Sequence, residues 1–321
     1  MTILVVGDLN ADLSAAVERF PAEGGDSVVS ALGWSSGGSA ANVAAALGVL
    51  GSPCRLLARV GADPAASVAL RAARAAGADL SGVQVDPAIA TGLCYTAVTP
   101  SGERTFFSFR GANQALAAPA PALLDGARWL HLSAYALLAG QQRATTLELI
   151  GAAHRRGLPI SLDLCLPTLQ AWREQIDDLL PQLAILFANE RELAELYPGE
   201  PQERAAQLLT ERGVPLVALK LGPRGCMLAS AGAPVRLPAC EVLAVDSSGC
   251  GDAFVAGFLS AHLRGAQLVT CLMLANALGA LTATRYGAAE ALPQRHELRE
   301  FLQQQPGYAA AAACLKAQSE T

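Results

Sequence analysis

The chain has 321 residues, 52% of them hydrophobic, with 30 glycines and 5% aromatics; such a composition excludes disorder and buries a large core, and the length suits one large domain with an insertion or two smaller domains. Its 28 acidic residues outnumber 23 basic ones for a net charge of −5, without a lysine/arginine cluster, which argues against nucleic acid as the main partner. Eight cysteines form no C-x-x-C pair and sit mostly in apolar runs, the pattern of reduced cytosolic thiols with neither a disulfide framework nor a metal-ligand spacing.

Taken in chain order, the first eight residues lack a basic start and a small-residue cleavage site, so a buried strand over 3–6 is expected instead of a signal peptide, in a cytoplasmic protein. A helix over 40–50, a strand over 55–60 and a helix over 65–76 follow. The rhythm resumes with strand 129–132, helix 141–155, strand 159–162, helix 169–180 and strand 185–187. Helices 190–196 and 202–212 and strand 216–220 continue it. Such alternation specifies an α/β fold with a mostly parallel central sheet flanked by helices. Helices over 249–264, 268–285 and 294–302 close the domain. The uncharged run 265–284 is long enough for a membrane span, but Gln267, Thr270, Asn276 and Thr282 interrupt it, so a buried helix is expected and no membrane partner. Two stretches break the rhythm: a strand-like segment over 27–32, and a hairpin pairing 94–99 with 104–110 across Pro100, Ser101, Gly102 and Glu103.

The most informative segment is Asp246, Ser247, Ser248, Gly249, Cys250, Gly251 and Asp252, a polar loop that runs into an apolar helix. Glycines let the backbone bend close to a ligand, and the free N–H groups and dipole of a helix start favour an anion. On local sequence Asp246 or Asp252 either caps this helix or sets a carboxylate beside a phosphoryl group. The segment resembles the C-terminal signature D-T-x-G-A-G-D-x-F of the ribokinase-like (PfkB) family of carbohydrate and nucleoside kinases, with Ser247 for the usual Thr and Cys250 for the usual Ala. The resemblance implies a single ribokinase-like α/β domain over 1–321, with a small β-sheet lid formed by insertions at about 12–34 and 91–113. It implies ATP and Mg2+ as cofactors, Asp252 as general base, and the amides of Gly249, Cys250 and Gly251 as an anion hole. Carbonyls around Asp246, Ser248 and the 284–288 loop are implied as a site for a monovalent cation, K+. Cys250, at a helix start that lowers a thiol pKa, is the candidate reactive cysteine, although a small buried filler explains it equally well.

On the acceptor side, Asp12 follows the first strand, where it either forms an Asx turn or accepts hydroxyl hydrogen bonds. Gly37, Gly38 and Asn42 resemble the family's N-terminal G-G-x-x-x-N signature, which implies that they bind the acceptor's hydroxyls. Of the hairpin aromatics, Phe107, Phe109 or Trp34 is a candidate ligand contact, with packing as the competing reading.

On the nucleotide side, Asn189 reads as an N-cap with Glu192 as its capping-box partner, and the same residues resemble the family's N-x-x-E motif, which implies that Glu192 orders magnesium through water. Lys220, Gly222 and Gly225 end a strand in the turn that resembles the family's nucleotide loop; Arg224 there either faces solvent or reaches a phosphate. Asn276 and 284–288 resemble the adenine-pocket segment. One departure stands out: the family's aspartate, asparagine and arginine after strand 159–162 are here Asp163, Leu164 and Cys165, without the arginine, which weakens a typical hexose or ketoacid-sugar kinase assignment.

Competing readings fare worse. Gly33 to Gly37 satisfies G-x-S-x-G, but no strand runs through Ser35 directly into a helix and no partner histidine is evident. Two lysines, Lys220 and Lys316, neither following a glycine, exclude a P-loop. A non-catalytic sugar binder on a kinase scaffold leaves no reason for the complete Asp252 signature. The expectation is an ATP-dependent kinase acting on a hydroxyl of a sugar or sugar-containing compound, with a nucleoside (adenosine-type) kinase of the same family as the alternative and a homodimer through the lid.

Overall fold

The computed structural model describes residues 2–315; Met1 and 316–321, Lys316 among them, lie outside the described residues. The chain begins with β1 (Thr2–Val6), then leaves for β2 (Asn10–Val17) and β3 (Val29–Gly37). It returns through α1 (Ser39–Val49), β4 (Cys54–Gly61), α2 (Pro64–Ala75) and β5 (Val83–Asp86), and leaves again for β6 (Gly92–Val98) and β7 (Arg104–Phe109). Next come β8 (Ala127–Ser133), α3 (Gly140–Arg155), β9 (Ile160–Asp163), α4 (Leu166–Leu179), β10 (Ile185–Asn189), α5 (Glu190–Leu196) and α6 (Gln202–Glu211). The order ends with β11 (Leu216–Lys220), β12 (Cys226–Ala229), β13 (Val235–Leu237), α7 (Cys250–Leu263), α8 (Leu268–Thr282), α9 (Arg295–Gln304) and α10 (Ala309–Ala313).

Nine strands form the main sheet in the order β13-β12-β11-β10-β9-β8-β1-β4-β5, parallel except at the β12 and β13 edge. Its central strands are apolar on both faces because helices cover both. Ile3 and Val5 pack toward α1, α7 and α8, while Leu4 and Val6 pack toward α3, α4 and α6. Helices α7 and α8 pack closely, so that a Cβ at Gly257 would lie 2.9 Å from the Ala275 α-carbon. Among the described residues no helix is long and apolar enough to cross a membrane.

Strand order reverses at β1, which has β4 on one side and β8 on the other, so a crevice opens at the carboxyl ends of β1 and β8. Gly7 lines it: a Cβ there would fall 2.8 Å from Ala40 Cβ and 2.9 Å from Ser133 Cβ, so a side chain would push α1 away from the sheet.

A second sheet, ordered β3-β2-β6-β7, forms a lid. Strand β2 was not foreseen, and it moves Asp12 from a loop to mid-strand, opposite Ser35 and Cys94. Strand β3 starts two residues later than the expected strand-like segment and runs on to Gly37. Ser35 is therefore within a strand, which removes the strand-to-helix elbow a serine nucleophile needs. The short elements β5, β12, β13 and α10 were also unforeseen, each too brief to carry a periodic pattern.

Candidate active site

Two helix starts converge on one carboxylate. Asp252, in the first turn of α7, accepts from Ser39 Oγ at 2.7 Å on Oδ1 and from Asn42 Nδ2 at 2.8 Å on Oδ2, and both donors belong to the first turn of α1. The N-cap of α7 is Gly249 at φ 71°, so Asp252 bonds across to another helix instead of capping its own. Asp246 folds the loop ahead of the helix: its Oδ1 accepts from Ser248 N at 2.7 Å and its Oδ2 from Gly287 N at 3.0 Å. A Cβ at Gly249 would meet Ala288 at 2.9 Å, so both the left-handed backbone and the packing require glycine. Burial, joined by the Asp163 charge, lifts the Asp252 pKa to about 6 against the Asn42 and Ser39 hydrogen bonds.

Lys220, at the end of β11, is ion-paired with Asp163 at the end of β9. Its ammonium lies 3.5 Å from where a Cβ at Gly251 would stand, beside the anion loop. Burial opposes its charge, but Asp163, then Glu192, and the more distant Asp252 outweigh burial and hold the amine protonated. The capping box at α5 is formed: Asn189 Oδ1 accepts from Glu192 N at 3.0 Å, and Glu192 Oε2 accepts from Asn189 N at 2.7 Å. Glu192 is buried, which pushes its pKa up to about 7 despite Lys220.

On the acceptor side the lid places Asp12 against the glycine pair. A Cβ at Gly37 would fall 2.1 Å from Asp12 Oδ1, and one at Gly38, at φ 92°, would fall 2.4 Å from the Asp8 carbonyl oxygen. Asp12 Oδ1 and Asn42 Oδ1 are buried with no hydrogen-bond partner among the described residues. Burial, with the Glu290 and Asp252 charges, raises the Asp12 pKa to about 7. A polyol supplies the hydroxyl donors such oxygens lack.

Asn189, Lys220, Gly222, Gly225, Cys250, Gly251 and Asn276 line one cleft of about 1040 Å³ that runs from the anion loop past Pro238 and Cys240. The pfkB family carbohydrate kinase profile matches residues 2–295. The chain belongs to that family. It is a phosphotransferase acting on a sugar hydroxyl, with a ribokinase-like fold. The ATP-dependent ribose-1-phosphate kinase of Halopiger xanaduensis is 34% identical over 94% of this chain and 97% of that protein. The fructokinase of Klebsiella pneumoniae is 31% identical over 83% of this chain and 91% of its own length. The Arabidopsis thaliana ribokinase solved with ribose and ATP superposes with a TM-score of 0.82 at 25% identity, covering 94% of this chain and 99% of that one.

Set in this kinase fold, several expectations change. Strand register places Asp12, Ser35, Cys94 and Ser108 in one row and Leu13, Trp34, Tyr95 and Phe107 in the next. Alternation therefore turns Trp34, Phe107 and Phe109 to the face opposite Asp12, and Phe106 is the hairpin aromatic that shares its face. Phe107 instead stacks with Phe20 at 6.2 Å. Burial and the Asp246 and Asp252 charges push the Cys250 thiol pKa up to about 12, against the lowering that a helix start gives. Asn276 lines the cleft, yet its amide is engaged by the Pro238 carbonyl at 2.7 Å and by Tyr308 Oη at 3.1 Å, so it holds the wall in shape. Arg224 pairs with Glu190. Sequence reasoning missed Ser39, Arg104 and Glu290. Arg104 reaches Asp246 and Ser248 from β7, and Glu290 accepts from Ser36 N at 2.8 Å, contacts between segments too far apart for a local signal.

Proposed function

We propose that this kinase transfers the γ-phosphoryl of ATP to a hydroxyl of a ribose- or fructose-like sugar, with Asp252 as the general base. The observation that carries the proposal is the convergence on Asp252: one carboxylate is held by α1 at the acceptor side and by α7 at the anion loop, with the open oxygens of Asp12 and Asn42 alongside. The acceptor's hydroxyls bond to Asp12 and Asn42, close to the backbone at Gly37 and Gly38, and the reacting hydroxyl gives its proton to Asp252 as its oxygen bonds to phosphorus. The bond from phosphorus to the ADP oxygen breaks, and the amides of Gly249, Cys250 and Gly251 with the Lys220 ammonium balance the charge on the moving phosphoryl. A positioned base contributes about 10²–10⁴ in rate. An anion-hole donor contributes on the order of 10²–10³.

Nucleotide occupies the cleft lined by Asn189, Lys220, Gly222, Gly225 and Asn276. Magnesium, when bound, would neutralise charge on the phosphates, with Glu192 the residue that would order it through water. Among the described residues no group of three or more His, Cys, Asp or Glu forms a metal cage, and Glu192 has both oxygens on Asn189, so an outer role through water fits it. The whole chain works as one kinase domain whose lid comes from the insertions at about 12–34 and 91–113. The outward lid face carries Leu32, Phe107 and Phe109, each more than half exposed, which supports pairing of two lids in a homodimer. Free thiols throughout the described residues support a reducing, cytoplasmic setting, and the acidic balance supports no role for nucleic acid.

A coupled assay of ADP release over ribose, ribose 1-phosphate, fructose and adenosine tests this reading. Acceptor-dependent ADP release with a sugar is expected. Sugar binding without ATP consumption for every acceptor contradicts it, and adenosine as the fastest acceptor turns the assignment to a nucleoside kinase.

A further inference from the structure

One side chain carries the lid into the phosphoryl-transfer loop. Arg104 is the first residue of β7 and shares the Asp12 face of the lid. Its Nη2 pairs with Asp246 Oδ1 at 2.6 Å, and its Nη1 donates to Ser248 Oγ at 2.7 Å. Asp246 also accepts from the Ser248 and Gly287 amides, so both carboxylate oxygens are engaged. The pair is largely withdrawn from water, with side chains 22% and 11% exposed, where an ion pair is worth more than at the surface and breaking it costs more.

The resemblance to the kinase family implies a monovalent ion near Asp246 and Ser248. The donor set does not suit it: Asp246, the one anionic group beside the implied carbonyls, is already paired with a cation, and the forked Arg104 guanidinium takes Asp246 Oδ1 and Ser248 Oγ together. We propose that Arg104 is the resident cation of the anion loop, replacing the monovalent ion and tying the loop's shape to closure of the lid. Arg104 is a positioning residue. It touches Asp246 and Ser248, which set the backbone that presents the Gly249, Cys250 and Gly251 amides. A free ion equilibrates with solvent, whereas this cation arrives with β7, so the anion hole is complete when the lid is down.

The test is amide exchange of 245–252 and 284–290 and the melting temperature, in potassium and in tetramethylammonium buffers, for the wild type, Arg104→Met and Arg104→Lys. These readouts hold whatever the acceptor proves to be, so they can fail independently of the kinase reading on which the inference rests. Expected are wild-type values indifferent to the ion. In Arg104→Met, the Ser248 and Gly287 amides should exchange roughly tenfold faster or more in tetramethylammonium, with partial recovery in potassium and an intermediate Arg104→Lys. With a sugar acceptor, kcat of Arg104→Met should fall by about tenfold or more while the KM for ATP changes by less than about threefold. Potassium protecting the wild-type loop, or Arg104→Met exchanging like wild type, overturns the proposal. So does a loss confined to phosphorylated acceptors, which would make Arg104 an acceptor ligand.

Discussion

The two ends of the site are built from different materials. At the anion loop the geometry is a backbone matter: Gly249 in a left-handed turn packed on Ala288, and Asp246 bonded to two amides. At the acceptor end it is a side-chain matter, with Asp12 and Asn42 each keeping one buried oxygen without a partner among the described residues. A backbone site tolerates small replacements such as Ser247 and Cys250. A site made of unsatisfied oxygens is costly until a ligand arrives, and that cost is what recognises polyols.

Several substitutions break or sharpen this contrast. Asp252→Asn, which removes the carboxylate both ends share, should lower turnover by roughly 10²–10⁴ while ATP affinity by calorimetry changes little. Gly37→Ala puts a methyl 2.1 Å from the Asp12 carboxylate, so the acceptor KM should rise by roughly tenfold or more. At the other end Gly251→Ala meets Lys220 at an ordinary 3.5 Å, and steady-state kinetics should register the smaller loss.

Asn42→Ala removes one of the two donors holding Asp252 ionised. In the wild type, kcat/KM should fall as pH drops through about 6, where Asp252 protonates, and in this variant that acid limb should move to higher pH. The smallest effect concerns stability. Asp12 is raised from 3.8 to about 7 in the fold, so its ionisation costs stability progressively from about pH 4 and fully above about pH 7. Asp12→Asn should therefore melt a few degrees higher than wild type at pH 8, with the difference gone near pH 4, even as the acceptor KM worsens.

Much of this contrast was legible in the chain. The parallel sheet announced itself because β1, β10 and β11 are buried on both faces and read as unbroken apolar runs. Gly37, Gly38 and Asn42, and Asp246 through Asp252, were legible because each set lies within one turn of a helix start. Strand β2 was not: cleft-facing Asp12 and Ser14 alternate with Ala11, Leu13 and Ala15, of which Leu13 alone is large and apolar, too weak a pattern to announce a strand. The bonds that assemble the site, Ser39 to Asp252 across 213 residues and Arg104 to Ser248 across 144, have no local trace. Nor has the register that turns Phe107 outward and Phe106 inward.

The most direct measurement is a crystal structure of the complex with a sugar acceptor and a non-hydrolysable ATP analogue. The account predicts the reacting hydroxyl within about 3 Å of an Asp252 oxygen, in line with a γ-phosphorus cradled by the Gly249, Cys250 and Gly251 amides. A hydroxyl bound elsewhere, with Asp252 still enclosed by Ser39 and Asn42 and turned away from both substrates, would contradict it.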